Sequence, residues 1–316
     1  MPSRLPATAT AMAATATDRR FSGPEWIFEE KLDGYRCLAW VEDGTARLRS
    51  RNDKNFDGAF PEVVEALPSC VRGSALLDGE VVAFEDGRSD FGLLQQRAGL
   101  RDARRARATN VAITYVVFDI LFADGEDLRS KDLLTRKAVL ARVVEPRGPV
   151  TLSTWIEEDG LGAFDEACRR GLEGVIAKRA ASTYQPRRSR DWLKMKCTAS
   201  QELVVVGFTD PKGARPGFGA LLLGYYDDEG LRYAGKVGTG FDDETLRSIR
   251  PLLDDLQVET PPVLERVREP GAHWVLPALV AQVRFSGWGG DGSLRHPGFI
   301  GFRADKAPED VVREPG

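Results

Sequence analysis

A lysine flanked by carboxylates lies near the start of the chain, within the stretch FEEKLDGYR at residues 28–36. Lys31 is a candidate nucleophile, but an unperturbed lysine, with a pKa near ~10.4, is almost fully protonated at neutral pH. Nearby positive charge favours the neutral amine, so a nucleophilic Lys31 requires cations from elsewhere in the chain. The pattern K-x-D-G is short enough to recur by chance, and its interpretation therefore depends on the other motifs.

Polar residues also interrupt several apolar segments further along the chain. An Asp-Gly-Glu triplet inside the apolar run 75–84 is costly for a strand, and such a local conflict often indicates a functional site. Lys194 and Lys196 alternate with apolar residues, so both lysines should face one side of a strand. In chain order the polar insertions are Lys31, Asp33 and Arg36; Ser50-Arg51-Asn52; Asp78-Gly79-Glu80; Phe118-Asp119; Glu173 and Lys178; and Lys194 and Lys196.

Short strands and helices must position these residues. Residues 37–41 and 46–51 flank Asp43-Gly44, a dipeptide typical of tight hairpin turns. The nearly continuous apolar and β-branched run 111–122 predicts a buried central strand. Helices are expected at 61–66, 91–107, 133–144 and 162–170, and further strands at 75–84, 150–154, 173–178 and 192–196.

The length of 316 residues favours two domains, because single cores seldom grow far beyond ~250 residues. Residues 1–22 are low in complexity and are predicted to be flexible. Residues 23–199 carry the motifs. Residues 200–316 show short strands with glycine turns and one helix at about 242–256, which predicts a small β-barrel of the OB kind.

Composition excludes several classes. A hydrophobic fraction of 42% with 29% charged residues is ordinary for a globular protein. No apolar run approaches the ~20 residues that cross a bilayer, and the Ala/Thr-rich start does not resemble a secretion signal, so we expect a cytoplasmic protein. The four cysteines lack C-x-x-C spacing and are expected to be reduced, buried thiols rather than zinc ligands.

The basic residues are bunched although the net charge is −4. One cluster lies at residues 101–107 and another at 187–190. A solvated surface and a contact with a DNA backbone are both compatible with such clusters, and the sequence leaves these alternatives open.

In order, spacing and chemistry, these insertions resemble the motifs of covalent nucleotidyltransferases, specifically the ATP-dependent DNA ligases. Within that group the likeness is greatest to the ligase domain of bacterial ligase D end-joining proteins. It runs from about residue 12 to 312 and includes GKVGTGF at 235–241 and Arg303-Ala304-Asp305-Lys306. The resemblance implies an α+β fold: an ATP-grasp-like nucleotidyltransferase domain of antiparallel sheets with flanking helices, then an OB-fold β-barrel domain.

The resemblance also implies a role for each matched residue. Lys31 would carry AMP, and the catalytic set would also contain Asp33, Arg36, Lys194, Lys196, Arg303, Asp305 and Lys306. Glu29 would contact the adenine amino group and Phe118 would stack on the base, with further nucleotide contacts from Arg51, Glu80, Glu173, Lys178, Lys194 and Lys196. Carboxylate oxygens suit Mg²⁺ or Mn²⁺, and the implied metal ligands are Glu173, Glu80 and Asp33.

The implied reaction is DNA ligation. AMP from ATP would pass from Lys31 to the 5′-phosphate of a DNA nick, and the 3′-hydroxyl would then displace it. The implied partners are nicked or broken double-stranded DNA and an end-binding repair protein, for a monomeric enzyme without a membrane partner. One departure is Asp53, where such ligases often have glycine.

Two alternatives remain at this point. The first is a sister enzyme, either an RNA ligase or a GTP-dependent capping nucleotidyltransferase, which would share the lysine chemistry. The second is a non-catalytic relative that binds nucleic acid and keeps only the fold.

Overall fold

The computed structural model describes residues 5–97, 99–197, 200–290 and 292–314. The chain divides into two units, Met1–Cys197 and Thr198–Gly316, each with its own sheets and core. Within the described residues no helix is both long and apolar enough to cross a membrane.

The first unit is built mainly from strands, with helices on its outside. Its strands are β1 (Ala13–Ala16), β2 (Trp26–Glu30), β3 (Tyr35–Glu42), β4 (Thr45–Ser50), β5 (Ala75–Val82), β6 (Phe84–Glu85), β7 (Arg88–Ser89), β8 (Thr114–Ala123), β9 (Glu126–Asp127), β10 (Val150–Leu152), β11 (Trp155–Glu157), β12 (Gly174–Arg179) and β13 (Arg188–Lys196). Its helices are α1 (Pro61–Cys70), α2 (Phe91–Gln95), α3 (Ala103–Ala108), α4 (Leu133–Val143) and α5 (Gly160–Arg169).

Two sheets form the centre of this unit. One has the strand order β1-β13-β12-β2-β11, and the other has the order β10-β8-β5-β3-β4 with β9 beside β8. Most pairs are antiparallel as expected, but β1 with β13 and β10 with β8 are parallel, so both sheets are mixed. The apolar run of β8 is almost fully buried and lies inside its sheet, between β10 and β5, which confirms the predicted buried strand.

A buried cluster from both sheets includes Leu38, Trp40, Phe118, Tyr184 and Trp192. A second cluster lies under α5 on the other face of the first sheet and contains Phe28, Ala177 and Met195. The first sheet therefore has one face packed on a helix, while its other face carries the alternate, more polar residues of β2, β12 and β13.

Asp side chains begin several helices. Asp132 accepts a hydrogen bond from the N–H of Thr135 at the start of α4, and Asp159 accepts one from Gly162 at the start of α5. These contacts satisfy N–H groups that the first helical turn leaves without partners. The helix expected at 91–107 is instead two short helices, because Gly99 adopts a left-handed φ of 73° and Asp102 caps a new helix, α3.

The structure departs from the expectation of a flexible N-terminus. Residues Ala13–Ala16 pair in parallel with β13, and Met12 is completely buried. The indole N–H of Trp40 donates to the carbonyl of Pro6 at 2.7 Å. Small Ala and Thr side chains fit a strand at the edge of the sheet, beside β13. The low-complexity composition of this segment therefore did not predict the strand that it forms.

The expectation of four reduced cysteines is wrong for two of them. Cys168, near the end of α5, forms a disulfide with Cys197, which directly follows β13. The fold places their Cα atoms 5.2 Å apart, within the range that a disulfide requires. Cys37 and Cys70 are free and buried, as predicted.

The second unit consists of a curved sheet and one long helix. Its elements are β14 (Ser200–Thr209), β15 (Leu221–Asp227), β16 (Gly230–Val237), α6 (Asp243–Asp255), β17 (Gln257–Val258), β18 (Ala272–Arg284), β19 (Gly287–Trp288), β20 (Leu294–Arg295), β21 (Gly298–Phe302) and a 3-10 turn at Pro308–Asp310. Leu203 and Val205 of β14 pack with α6, whereas Val204 and Val206 face a separate apolar cluster, so both faces of the sheet are covered.

The predicted barrel is not closed among the described strands. Their order is β16-β15-β14-β18-β17, with β21 also paired to β18. The long strand β18 binds β14 along most of its length, and on its other edge it pairs with β17 at one end and β21 at the other. The OB-type architecture is therefore present as an open sheet, because no described strand joins β16 to β17 or β21.

Candidate active site

Three neighbouring strands bring the predicted nucleophile and two lysines to one face of the first sheet. The main-chain N–H of Lys31 donates to the carbonyl of Gly174 at 2.9 Å, just beyond the end of β2. Where β12 pairs with β13, Gly174 lies opposite Lys196, and Ile176 lies opposite Lys194. Because side chains alternate along strands, all three lysines lie on the face opposite α5.

Lys31 forms an ion pair with Glu173, the residue directly before β12. Burial alone would lower the pKa of Lys31, but the carboxylates of Glu173, Asp33 and Glu80 outweigh it and raise this pKa above its ordinary value. The lowering of this pKa by Lys194, Lys196 and bound Mg²⁺ stays a prediction. The amine contacts a carboxylate directly, so Lys31 is held as an ammonium.

The K-x-D-G turn packs tightly against β5. A Cβ atom added at Gly34 would overlap the carbonyl oxygen of Val81 and would lie 2.7 Å from Val82. This close approach places the turn beside Glu80, whose charge, with that of Asp33, acts on Lys31. Glycine is required here for space, since the backbone at Gly34 is not in the left-handed region.

Arg36 is bound between strands of the first unit. Its guanidinium donates to both carboxylate oxygens of Asp78, at 2.5 and 2.6 Å, and the hydroxyl of Tyr184 donates to the same carboxylate at 2.6 Å. The guanidinium carbon also lies 4.5 Å from the ring centre of Phe118. These contacts hold strands together, and a role for Arg36 at the nick phosphate stays a prediction.

Phe118 lies at the edge of the core beside a buried amine. Its ring packs edge-on against Trp192, with ring centres 6.1 Å apart. The Nζ atom of Lys178 lies 4.2 Å from the centres of both rings. Stacking of Phe118 on a nucleobase is not tested by this arrangement, in which a cation contacts the ring.

Glu29 is a buried carboxylate with two cations. Lys137 Nζ lies 2.7 Å from Oε1, Lys178 Nζ lies 2.9 Å from Oε2, and the hydroxyl of Ser153 donates to Oε2 at 2.9 Å. Burial alone would raise the pKa of Glu29, but the two lysines outweigh it and lower this pKa to about 2. The carboxylate is therefore ionised across the physiological range.

Arg51 lies in a tight turn at the end of β4. Ser50 Oγ accepts hydrogen bonds from the N–H groups of Asn52 and Lys54, at 3.3 and 3.0 Å. Asp53 has a left-handed φ of 58°, a conformation that glycine adopts easily and aspartate tolerates. The Asp53 departure from the family pattern therefore preserves the turn.

Three of the predicted residues belong to the second unit. Arg303 donates to both oxygens of Asp305, at 2.9 and 3.0 Å, and to Gln282 at 3.0 Å. Lys306 Nζ lies 3.2 Å from a carboxylate oxygen of Glu202. Asp305 and Lys306 are buried within their own unit, and their part in the chemistry stays a prediction.

The carboxylates near Lys31 suit a metal that is shared with a nucleotide. Among the side chains that the structure describes, no three His, Cys, Asp or Glu residues form a metal cage. Mg²⁺ commonly takes one or two protein carboxylates and completes its shell with phosphate oxygens and water. Glu173, next to Lys31, fits that arrangement, and metal binding by Glu173, Glu80 and Asp33 stays a prediction.

Sequence reasoning missed the residues that surround Glu29. Lys137 and Ser153 contact its carboxylate, and Trp155 lies 4.6 Å from the Lys137 amine. It also missed the fully buried pair of Arg136 with Asp119. One signal was available: Arg136 and Lys137 fall between Leu133 and Leu140 on the inward stripe of α4, where charged residues conflict with the helical pattern.

Comparison with known proteins agrees with the motifs. Residues 6–196 match the "ATP dependent DNA ligase domain" family, and residues 214–306 match the "ATP dependent DNA ligase C terminal region". A solved structure described as mycobacterial DNA ligase D complexed with ATP and MES is 33% identical, with a TM-score of 0.65, over 96% of this chain and 98% of that chain.

Curated relatives are longer than this chain. The multifunctional non-homologous end joining protein LigD of Pseudomonas aeruginosa is 41% identical, over 92% of this chain and 35% of the relative. LigD of Mycolicibacterium smegmatis is 35% identical, over 97% of this chain and 40% of the relative. A DNA ligase of Pyrobaculum calidifontis is 32% identical, over 98% of this chain and 58% of the relative. The chain thus spans between about a third and three fifths of the length of these proteins.

Proposed function

The chain belongs to the ATP-dependent DNA ligases, and we propose that it takes AMP from ATP onto Lys31 and uses it to seal breaks in one strand of duplex DNA. The observation that carries this proposal is the position of Lys31. It shares a sheet face with Lys194 and Lys196, and it contacts Glu173 at the start of the neighbouring strand.

In the first step, the Lys31 ammonium gives one proton to solvent, and the neutral Nζ then bonds to the α-phosphorus of ATP as the bond from that phosphorus to the pyrophosphate oxygen breaks. The nitrogen loses its second proton to solvent, and pyrophosphate leaves. The ammonium is held by Glu173 until the substrate phosphates and their counter-ions compete for that carboxylate. Lys194 and Lys196 would then stabilise the charge on the transferring phosphate, as cations do in other phosphoryl transfers.

The nucleoside would bind between the two sheets of the first unit. Glu29 and Lys178 supply charge, Phe118 supplies an aromatic face, and Arg51 and Glu80 flank the expected position of the ribose and phosphates. Glu173, with Glu80 or Asp33, would hold Mg²⁺ or Mn²⁺, which when bound neutralises charge on the phosphate oxygens. Lys306 and its neighbours Arg303 and Asp305 would orient the pyrophosphate.

The later steps act on DNA. AMP would pass from Lys31 to a 5′-phosphate, and a 3′-hydroxyl would displace it, with Asp33 and Arg36 near the nick. The LigD relatives are named for non-homologous end joining. We therefore infer that the substrates are nicked or broken duplexes, presented to a monomer with the help of an end-binding protein.

Capture of labelled nucleotide tests the first step. Incubation with α-labelled ATP should leave an acid-labile label on the protein, and Lys31→Ala should abolish it while Lys131→Ala, at an exposed lysine, should not. Labelled GTP tests the alternative of a GTP-dependent capping enzyme. A protein that takes label from GTP but not from ATP would refute the proposed use of ATP. Sealing of a nicked duplex by the wild type tests the whole reaction, and binding without sealing would favour the non-catalytic alternative.

A further inference from the structure

The cluster around Glu29 holds one more positive than negative charge. Glu29, Lys137 and Lys178 are each at most 3% exposed, so water does little to compensate the excess. Burying an uncompensated charge is costly, and a protein that keeps one usually needs it for a ligand or a reaction. The two lysines differ in how firmly they are held.

Lys137 is held by several groups at once. Besides its ion pair with Oε1 of Glu29, its amine donates to the carbonyl of Phe118 at 3.1 Å and lies 4.6 Å from the ring centre of Trp155. It projects from the inward face of α4 between Leu133 and Leu140. Its position is fixed by the fold.

Lys178 is held less completely. It forms an ion pair with Oε2 of Glu29, but among the described residues neither its amine nor Oε1 of Glu29 makes a hydrogen bond of normal geometry. Unlike Lys137, which also donates to the carbonyl of Phe118, Lys178 therefore has no hydrogen bond of its own within the described part of the chain. Its remaining neighbours are the faces of Phe118 and Trp192. Burial and the nearby charge of Lys137 lower the pKa of Lys178 to about 8, although Glu29 opposes this. Lys178 is thus the cation that can exchange Glu29 for a ligand.

We propose that Lys137 is a positioning residue for base selection: its ion pair holds the carboxylate of Glu29 in place, so that this carboxylate can accept from the amino group of the incoming base when Lys178 moves away. Ser153, which donates to Oε2, shares in orienting the carboxylate. This proposal rests on the proposed use of ATP and extends it to a lysine outside the recognised motifs. Lys137 acts through Glu29 and does not touch the substrate.

The test compares two triphosphates that differ in one amino group. Formation of the lysine adduct is followed as a function of the concentration of ATP or of purine riboside 5′-triphosphate, which lacks the 6-amino group. Lys137→Met should raise the KM for ATP about tenfold or more, because a hydrogen bond to a charged group is disturbed. Its KM for purine riboside triphosphate and its kcat at saturation should change by less than about twofold.

Matched variants separate positioning from general damage. Arg142→Met removes a cation from the exposed side of the same helix and should leave both KM values unchanged. Lys137→Arg restores the charge and should recover most of the preference for ATP. In a Glu29→Gln background, Lys137→Met should add little, because its effect runs through the carboxylate.

Two different failures are distinguishable. If the wild type forms no adduct with ATP, the proposed function is refuted. If the wild type forms the adduct but Lys137→Met raises the KM for both triphosphates equally, or lowers only kcat, Lys137 has a structural role. That result refutes the positioning role of Lys137 and leaves the proposed function intact. Thermal unfolding of each variant shows whether a loss comes from unfolding rather than from a changed pocket.

Discussion

Lys178 illustrates how a single buried amine can work against stability. Burial, with the charge of Lys137, lowers its pKa to about 8 in the folded chain from the usual 10.5. Below pH 8 the amine is protonated in both folded and unfolded states, and the full cost of burying its charge applies. Between about pH 8 and 10.5 the folded chain binds fewer protons than the unfolded chain, so this contribution to stability rises with pH.

Lys178→Met should therefore stabilise the protein at pH 7, by up to about 3 kcal/mol, because the excess charge disappears while Lys137 still pairs with Glu29. The gain should shrink towards zero by about pH 10, where the wild-type amine is neutral. Urea unfolding of both proteins across this range measures the difference. Equal stability at pH 7, or a gain that does not depend on pH, would contradict it.

Gly34 is the second residue whose local chemistry predicts a defined effect. Gly34→Ala should destabilise the chain by about 1–3 kcal/mol, since the new methyl group would collide with the backbone of β5. The shift of that strand should also move Glu80 and slow adduct formation. Gly290→Ala is the matched control, because an added Cβ there meets nothing within 4 Å. Differential scanning calorimetry of both variants would show equal melting temperatures if the close contact were unimportant.

At the scale of the elements, local patterns predicted most strands and few of the long-range contacts. The hairpin of β3 and β4 was predicted correctly because Asp43-Gly44 lies between two apolar runs, and β8 because its apolar run is long. The charged stripe of α4 was missed, since a helix pattern does not show which buried partner is available. Glu29 lies near that helix because Lys137 of α4 reaches the carbonyl of Phe118 in β8 and the ring of Trp155 in β11, the strand that pairs with β2.

The same limit explains the unpredicted disulfide. Cys168 and Cys197 are 29 residues apart in sequence and meet because α5 packs on the sheet that contains β13. The N–H of Cys197 donates to the carbonyl of Glu173 at 3.0 Å, so the disulfide borders the segment that holds the Lys31 partner. It closes the loop that contains Glu173 and both active-site lysines of β13.

Reduction of this disulfide should destabilise the first unit by roughly 3–4 kcal/mol, the loop-closure contribution for a segment of this length. Unfolding with and without reductant measures the effect. The double variant Cys168→Ala/Cys197→Ala should resemble the reduced wild type and should not respond to reductant. Cys37→Ala, at a free buried thiol, should keep the full response, and a wild type indifferent to reductant would exclude a contribution from the disulfide.

At the scale of the whole molecule, a net charge of −4 must be reconciled with a polyanionic substrate. The arrangement of charges resolves this in part. Arg101, just before α3, and Arg104 and Arg105 in its first turn are exposed, whereas Arg107 pairs with Glu65. The sequence showed the basic cluster but could not show which of its arginines are already neutralised.

We expect the exposed arginines of α3 to contact DNA phosphates, in which case binding should weaken with salt through the release of counter-ions. Each phosphate contact contributes about −0.9 to the slope of log K against log salt. The triple variant Arg101→Gln/Arg104→Gln/Arg105→Gln should therefore reduce the magnitude of this slope by about 2–3 for a nicked duplex. Adduct formation with ATP should be unchanged, because these residues lie outside the nucleotide pocket.

Arg72→Gln/Arg142→Gln/Arg147→Gln is the control for this measurement, since it removes the same charge from exposed arginines elsewhere in the first unit. Fluorescence anisotropy of a labelled nicked duplex at several salt concentrations gives both slopes. If long-range charge alone governs binding, the two triple variants should weaken it equally. If only the α3 variant reduces the slope of log K against log salt, the DNA backbone contacts that helix. If the two triple variants give equal slopes, the cluster is a solvated surface.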